Sequence, residues 1–358
     1  MVAQERDIEI IDNLEDGHEE ALPFKYSITS YGADYTIDSL VKRLSLGDIY
    51  IPSLQRGFVW DLRRASRFVE SLLLGLPVPG IFLSREEPSQ RLVVVDGQQR
   101  LNTLLYFYDG IFANTGKEFA LSGLESRFRG KTYKSLTDEG RRRLDDSILH
   151  ATIIRQDEPS DGDSSIYLIF ERLNTGGLAL QPQEIRASLY HGEFNDLLKE
   201  LKNTKNWRAI FGKVNPRMRD QELILRFLGL YFSRDKYEKP MKEFLNTYMG
   251  GNKHLAKNNE IEIRNAFETT IEVAYKCLGT TAFKPRRALN AAVYDAVLVG
   301  IAHRLANGQI QDCEALKTQY DNLLFEQAFI SATETGTSAE DSVSSRISLA
   351  TEAFEDID

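Results

Sequence analysis

The sequence predicts an α+β protein, with a small mixed-sheet domain followed by a mainly helical domain. Three observations carry this reading. Between about residues 27 and 155, short β-branched runs are interleaved with segments whose apolar residues recur at helical spacing. The strand-like runs "GIFLSR" and "RLVVVD" are separated by the turn-rich "EEPSQ". From about residue 165 onward the periodicity is almost wholly helical. The expected organisation is an acidic flexible leader over 1–22, the sheet domain over 23–160, and a helical domain over 161–358 that ends in an acidic helix.

Each element has a local reason. A helix is expected from Ser39 to Leu46, with Leu40, Val41 and Leu44 on one face, then a short strand at Ile49–Ile51. In "DLRRASRFVESLLLGLPVP" the apolar face is Ala65, Phe68, Val69, Leu72 and Leu73, and Gly75 with Pro77 stops the helix. "QQRLNTLLYFYDGIF" reads as a helix and "HATIIRQ" as a strand. "SIYLIFERLNTGG" reads as a helix closed by Gly176–Gly177. Pro182 starts the next helix, "PQEIRASLYHGEFNDLLKELKNT". "RDQELILRFLGLYF", "PMKEFLNTYM", "EIRNAFETTIEVAYKCLG", "RALNAAVYDAVLVGIAHRLANG" and "CEALKTQYDNLLFEQAFI" continue the helical pattern. Val343, Ile347, Ala350 and Phe354 recur at helical spacing in the acidic end, with Ser338 and Asp341 as its expected N-terminal cap. No fixed-period repeat is present.

Composition excludes several classes. With 358 residues, 42% hydrophobic and 27% charged, the chain has the make-up of an ordinary globular protein long enough for two domains. No apolar run approaches the ~20 residues that span a bilayer. "MVAQERDIEIIDNLEDGHEE" lacks the apolar centre of a signal peptide. Cys277 and Cys313 stand alone without metal-ligand spacing and are expected as reduced, buried thiols of a cytoplasmic protein with no membrane partner. The net charge of −9 is concentrated at the ends: residues 1–20 carry −7 and 331–358 carry −6, which leaves the body at +4. Basic runs "RFRGKTYK" (127–134), "GRRRL" (140–144) and "KPRR" (284–287) lie in that body, so a nucleic-acid or nucleotide partner is compatible with the low pI.

The chemistry concentrates in "VVVDGQQRLNTL" (93–104). A strand that ends in Asp-Gly and enters a helix exposes backbone N–H groups at the positive end of the helix dipole, which makes an anion site. Gly97 has no Cβ and lets a ligand approach the backbone. Arg100 offers a planar fork for phosphate oxygens. Gln98 and Gln99 donate and accept, which suits a ribose, a base edge or an attacking water. Asp96 can hold Mg²⁺ or accept from a ribose hydroxyl. The competing reading has Asp96 capping the helix and the glutamines merely exposed.

Two further segments join it. "IPSLQRGFVW" (51–60) places Gln55 and Arg56 together, a second cation for a polyanion held at Arg100, with Phe58 and Trp60 expected as core anchors. "FERLNTGGLAL" (170–180) has a polar tip at Asn174 and Thr175, while a helix C-cap accounts for Gly176 or Gly177. No GxxxxGK[ST], HExxH, His-Asn-His, Pro-Asp or Gly-x-Ser-x-Gly pattern occurs, and the five histidines are scattered.

Taken together, "IPSLQRGFVW", "VVVDGQQRLNTL" and "FERLNTGGLALQPQEIR" resemble the N-terminal-domain family of GmrSD-type restriction systems, whose core is ParB/sulfiredoxin-like. The later "RMRDQELILRFLGLYF" and "MKEFLNTYM" resemble the helical continuation of stand-alone members, so the likeness covers about residues 30–350. It implies a nucleotide-binding, NTP-hydrolysing module (ATP or GTP, with Mg²⁺) in prokaryotic anti-phage defence. Asp96, Gly97, Gln98, Gln99 and Arg100 map onto the family's nucleotide string, and Gln55 and Arg56 onto its earlier Gln-Arg pair. Asn174 and Thr175 are placed with them in the nucleotide-binding set. Asn102 stands where Thr is common. The His-Asn-His nuclease domain of fused members is missing, which points to a separately encoded nuclease or other effector as partner. Two alternatives stay open: a DNA-binding or DNA-nicking ParB-like protein, and a non-catalytic partner of a nuclease. A homo-oligomer is compatible with all of these.

Overall fold

A computed structural model describes residues 10–11, 27–52, 58–86, 89–124, 127–158, 164–173 and 180–358. The chain divides into two compact units, Lys25–Leu180 on one side and Met1–Phe24 with Gln181–Asp358 on the other. Within the second unit, Ile10–Ile11 (β1) pairs in parallel with Leu289–Asn290 (β9).

The first unit runs β2 (Ser27–Thr36), α1 (Ile37–Leu46), β3 (Ile49–Tyr50), α2 (Leu62–Leu74), β4 (Ile81–Arg85), β5 (Leu92–Asp96) and α3 (Gln98–Asp109). It continues with β6 (Ile111–Phe112), β7 (Lys117–Glu118), α4 (Asp138–Asp145), β8 (Ile148–Glu158) and α5 (Ser164–Leu173). Five strands form a mixed sheet in the order β2-β8-β4-β5-β3. The β2/β8 and β4/β5 pairs are antiparallel, and β8/β4 and β5/β3 are parallel. This arrangement brings the end of β2, the start of β8, the start of β4 and the end of β5 to one end of the sheet.

Caps and patterning explain the helices. Thr36 accepts from Ser39 N at the start of α1, and Asp61 from Arg64 N (2.7 Å) at the start of α2. Gly47 and Gly75 close them in the left-handed conformation, at φ 79° and 73°. Leu40, Val41, Ala65, Val69, Leu72, Leu101 and Leu104 bury against Ile81, Leu83, Val94, Leu149, Ala151 and Ile153, one face of the sheet. On the other face Ser84, Val93 and Ile154 are buried, and α5 packs on β5 and β8.

Some elements depart from expectation. Strand β2 has no apolar alternation, since "SITSYGADYT" is an edge strand paired through its backbone to β8 alone. Helix α3 stops at Asp109 rather than Phe112, because Gly110 turns left-handed and Ile111–Phe112 pair with Lys117–Glu118. The basic run at 140–144 belongs to a helix, α4, which Thr137 starts by accepting from Gly140 N (3.1 Å).

The second unit is built of helices: α6 (Pro182–Leu189), α7 (Glu193–Leu201), α8 (Lys205–Phe211), α9 (Arg219–Ser233) and α10 (Met241–Gly251). They are followed by α11 (Glu260–Leu278), α12 (Ala291–Ala306), α13 (Cys313–Phe325), α14 (Gln327–Glu334) and α15 (Glu340–Phe354). The single helix expected from Pro182 is broken at Gly192, whose φ is 155° and whose absent Cβ would lie 2.7 Å from Lys253 O. Glu326, in an extended conformation, breaks α13 from α14. The acidic terminal helix forms with Val343, Ile347, Ala350 and Phe354 buried. Ser338 does not cap it: Ala339 is the cap residue without a side-chain bond, and Ser338 O accepts from Tyr237.

The expectation of reduced thiols is corrected. Cys277 and Cys313 are joined in a disulfide that ties the end of α11 to the start of α13. At the centre of the unit Asp295 pairs with both Arg226 (2.6 Å) and Arg346 (3.1 Å), all three fully buried. Among the described residues, no helix is long and apolar enough to cross a membrane.

Candidate functional site

The corner between β5 and α3 assembles as a strand-to-helix turn. Asp96 closes β5, Gly97 takes φ 103°, and α3 begins at Gln98 with no side-chain cap. Asp96 therefore leaves the helix terminus uncapped and turns its carboxylate elsewhere. Its Oδ2 lies 2.7 Å from Nη2 of Arg100, one turn along. The same Nη2 donates to Gly80 O at 2.9 Å, at the start of β4. The Arg100 side chain is 15% exposed, and its buried Nε has no hydrogen-bond partner. An uncapped helix N-terminus beside a guanidinium with an unused N–H is suited to bind an anion.

Gly97 packs tightly against the neighbouring strand. A Cβ there would lie 2.3 Å from Ile81 Cγ2. The glycine permits the left-handed turn and close packing of the corner on β4.

The two glutamines separate in role. Gln99 Oε1 accepts from Val59 N (2.9 Å) and Trp60 N (3.3 Å), so its side chain clamps the 58–60 segment to α3. Asn114 Nδ2 holds Trp60 O from the other side at 3.1 Å. Phe58 sits edge-on to Tyr106 and Phe112, and Trp60 edge-on to Phe68 with Arg64 over its ring. Both aromatic residues are the core anchors expected. Gln98 is half-buried in the first turn of α3. Gln55 and Arg56 lie outside the described residues, as do Asn174 and Thr175; helix α5 ends just before the latter pair, at Leu173.

Among the described residues, no group of three or more His, Cys, Asp or Glu side chains gathers as a metal cage. Asp96 offers one carboxylate, which fits a Mg²⁺ ion that arrives on a nucleotide's phosphates better than one held by protein alone.

Local sequence gave no sign of three other residues at this end of the sheet. Gly80 accepts from Arg100, and His150 Nδ1 lies 2.8 Å from Asp34 Oδ1 across β8 and β2. These contacts join positions 20 and 116 residues apart, so only strand register reveals them.

A family model described as GmrSD restriction endonuclease, N-terminal domain, matches residues 37–191, which include the whole corner. None of the curated proteins compared with the chain matches it.

Proposed function

The chain carries a domain of the GmrSD restriction-endonuclease N-terminal family, and from that premise we propose that it is a nucleotide-binding, NTP-hydrolysing module of a restriction-type, anti-phage defence system that acts with or regulates a separate effector. The observation that carries this is the pairing of an uncapped α3 N-terminus with Arg100, whose Nε is unpartnered. Backbone N–H groups of the first turn would cradle one phosphate and Arg100 would neutralise another. Arg56 would add a second cation, with Gln98, Asn174 and Thr175 contacting the nucleoside. Phosphoryl transfer requires positioning and charge stabilisation more than a strong nucleophile. A Mg²⁺ ion bridging the phosphates would neutralise further charge, with Asp96 the carboxylate placed to take it.

The test is equilibrium binding of ATP and GTP with and without Mg²⁺, paired with phosphate release. Arg100→Ala is expected to weaken binding at least tenfold, since a charge-assisted contact is lost. An Arg100→Ala chain that binds and hydrolyses as the wild type does would overturn the site.

A second reading, DNA binding, is favoured by one feature. Arg127, Arg129, Lys131, Lys134 and Arg142 are all exposed on the segment that leads into and forms α4. DNA affinity that falls steeply with added salt would support it, and no retention of DNA at low salt would remove it.

A further inference from the structure

Asp34 on β2 and His150 on β8 are register partners at the end of the sheet that carries the corner. His150 Nδ1 lies 2.8 Å from Asp34 Oδ1. A carboxylate bonded to Nδ1–H fixes the tautomer and leaves Nε2 as the basic nitrogen. Both side chains are open to solvent, 61% and 65% exposed. A polar contact so exposed contributes little to stability, so folding alone gives weak reason for it.

The surroundings of His150 are unusual for a sheet. Leu149 and Ala151 point into the core, so by the two-residue period His150 stands on the opposite face, the one α5 covers in part. Two glycines lie beside it, Gly32 on β2 and Gly80 immediately before β4. A Cβ at Gly32 would lie 2.9 Å from His150 Cε1, and one at Gly80 would lie 2.7 Å from His150 O. Glycine at 32 thus leaves room for the imidazole and glycine at 80 leaves room for the His150 carbonyl, although glycine weakens a strand. Gly80 is also the residue whose carbonyl accepts from Arg100. A single residue therefore separates the Asp34–His150 pair from the Arg100–Asp96 pair. Two inter-strand spacings, about 10 Å, separate β8 from β5.

We infer that His150, oriented by Asp34, is the general base of the reaction at this corner, and the inference rests on the nucleotide reading above. A triphosphate held by Arg100 extends across Gly80 toward Nε2. The oxygen of a water forms a bond to the terminal phosphorus while the bridging P–O bond breaks. The bridging oxygen leaves with its electron pair on the diphosphate. The water's proton goes to His150 Nε2, and the resulting imidazolium, paired with Asp34 and exposed, releases it to solvent. The charged groups on the surrounding elements include Asp34 on β2, Arg85 on β4, Arg155 on β8, Asp96 and Arg100 at the corner, and Glu171 and Arg172 on α5.

The experiment measures equilibrium binding of a non-hydrolysable ATP or GTP analogue and single-turnover hydrolysis across pH 5–8, for the wild type, Arg100→Ala, His150→Ala and Asp34→Asn in the full chain. His150→Ala is expected to keep the wild-type dissociation constant, lose about 100-fold in hydrolysis and change the pH profile of the rate. Asp34→Asn removes the carboxylate that orients the imidazole, so hydrolysis is expected to fall while the dissociation constant stays at the wild-type value. Hydrolysis and a pH profile unchanged in His150→Ala overturn the role of His150 and leave the nucleotide site standing. A wild type that binds but does not hydrolyse has the same meaning. Binding absent in the wild type, or intact in Arg100→Ala, overturns the nucleotide site and the base together.

Discussion

Asp96 Oδ2 and Arg100 Nη2 lie 2.7 Å apart across one turn of α3, so the cation best placed to receive a phosphate already holds a carboxylate. Asp96 is 40% exposed, and a pair this open is worth about 1 kcal/mol. An incoming phosphate competes with that carboxylate for the same guanidinium. Asp96→Asn is therefore expected to tighten nucleotide binding about fivefold in Mg²⁺-free buffer. Titration calorimetry checks it, and weaker binding under those conditions would contradict the competition.

Gln99 Oε1 is the acceptor for two backbone N–H groups, those of Val59 and Trp60. Gln99→Ala leaves both without that partner and is expected to cost about 1–2 kcal/mol. Of the two tryptophans, Trp207 is fully buried in the helical unit, so a change in emission on this substitution reports Trp60. Gln99→Glu keeps an acceptor oxygen for both N–H groups, so its emission should change less than that of Gln99→Ala.

Asp295 is bonded to two buried guanidinium groups, Arg226 and Arg346. Asp295→Asn removes the negative charge and leaves both cations buried. Breaking a buried pair in this way costs about 3–5 kcal/mol. Urea unfolding should show the loss; a change below 1 kcal/mol would refute it.

His303, half-buried beside Tyr231, has its pKa pushed below the ordinary 6.5, first by burial and then by nearby Arg234. The folded state disfavours the imidazolium, so the unfolded chain takes up the proton more readily. The contribution of His303 is intact above about pH 6.5 and is lost as the pH falls toward the lower folded value. Stability measured from pH 7 down to pH 5 should decline, and His303→Gln should flatten part of that slope. Identical slopes in the two proteins would refute it.

What the sequence determined by itself was local. Helix α2 was legible because the apolar face from Ala65 to Leu73 and the stop at Gly75 both act within two turns of chain. Strands β4 and β5 were legible from their β-branched runs, and α15 from Val343, Ile347, Ala350 and Phe354, whose burial outweighs its acidic surface. The strand-to-helix corner was legible from Asp-Gly followed by an amphipathic run.

Tertiary structure decided the partners. It gave Arg100 to Gly80, Gln99 to a backbone segment 40 residues away, and Cys277 to Cys313 across 36 residues. It set His150 beside Asp34 by strand register, in an edge strand with no apolar alternation to announce it. It also fixed why Gly97 is glycine, since the methyl group that excludes a Cβ belongs to Ile81 on a neighbouring strand. Periodicity and capping act over a few residues and can be read along the chain. Which polar groups meet depends on sheet order and register, which arise only when the whole core closes.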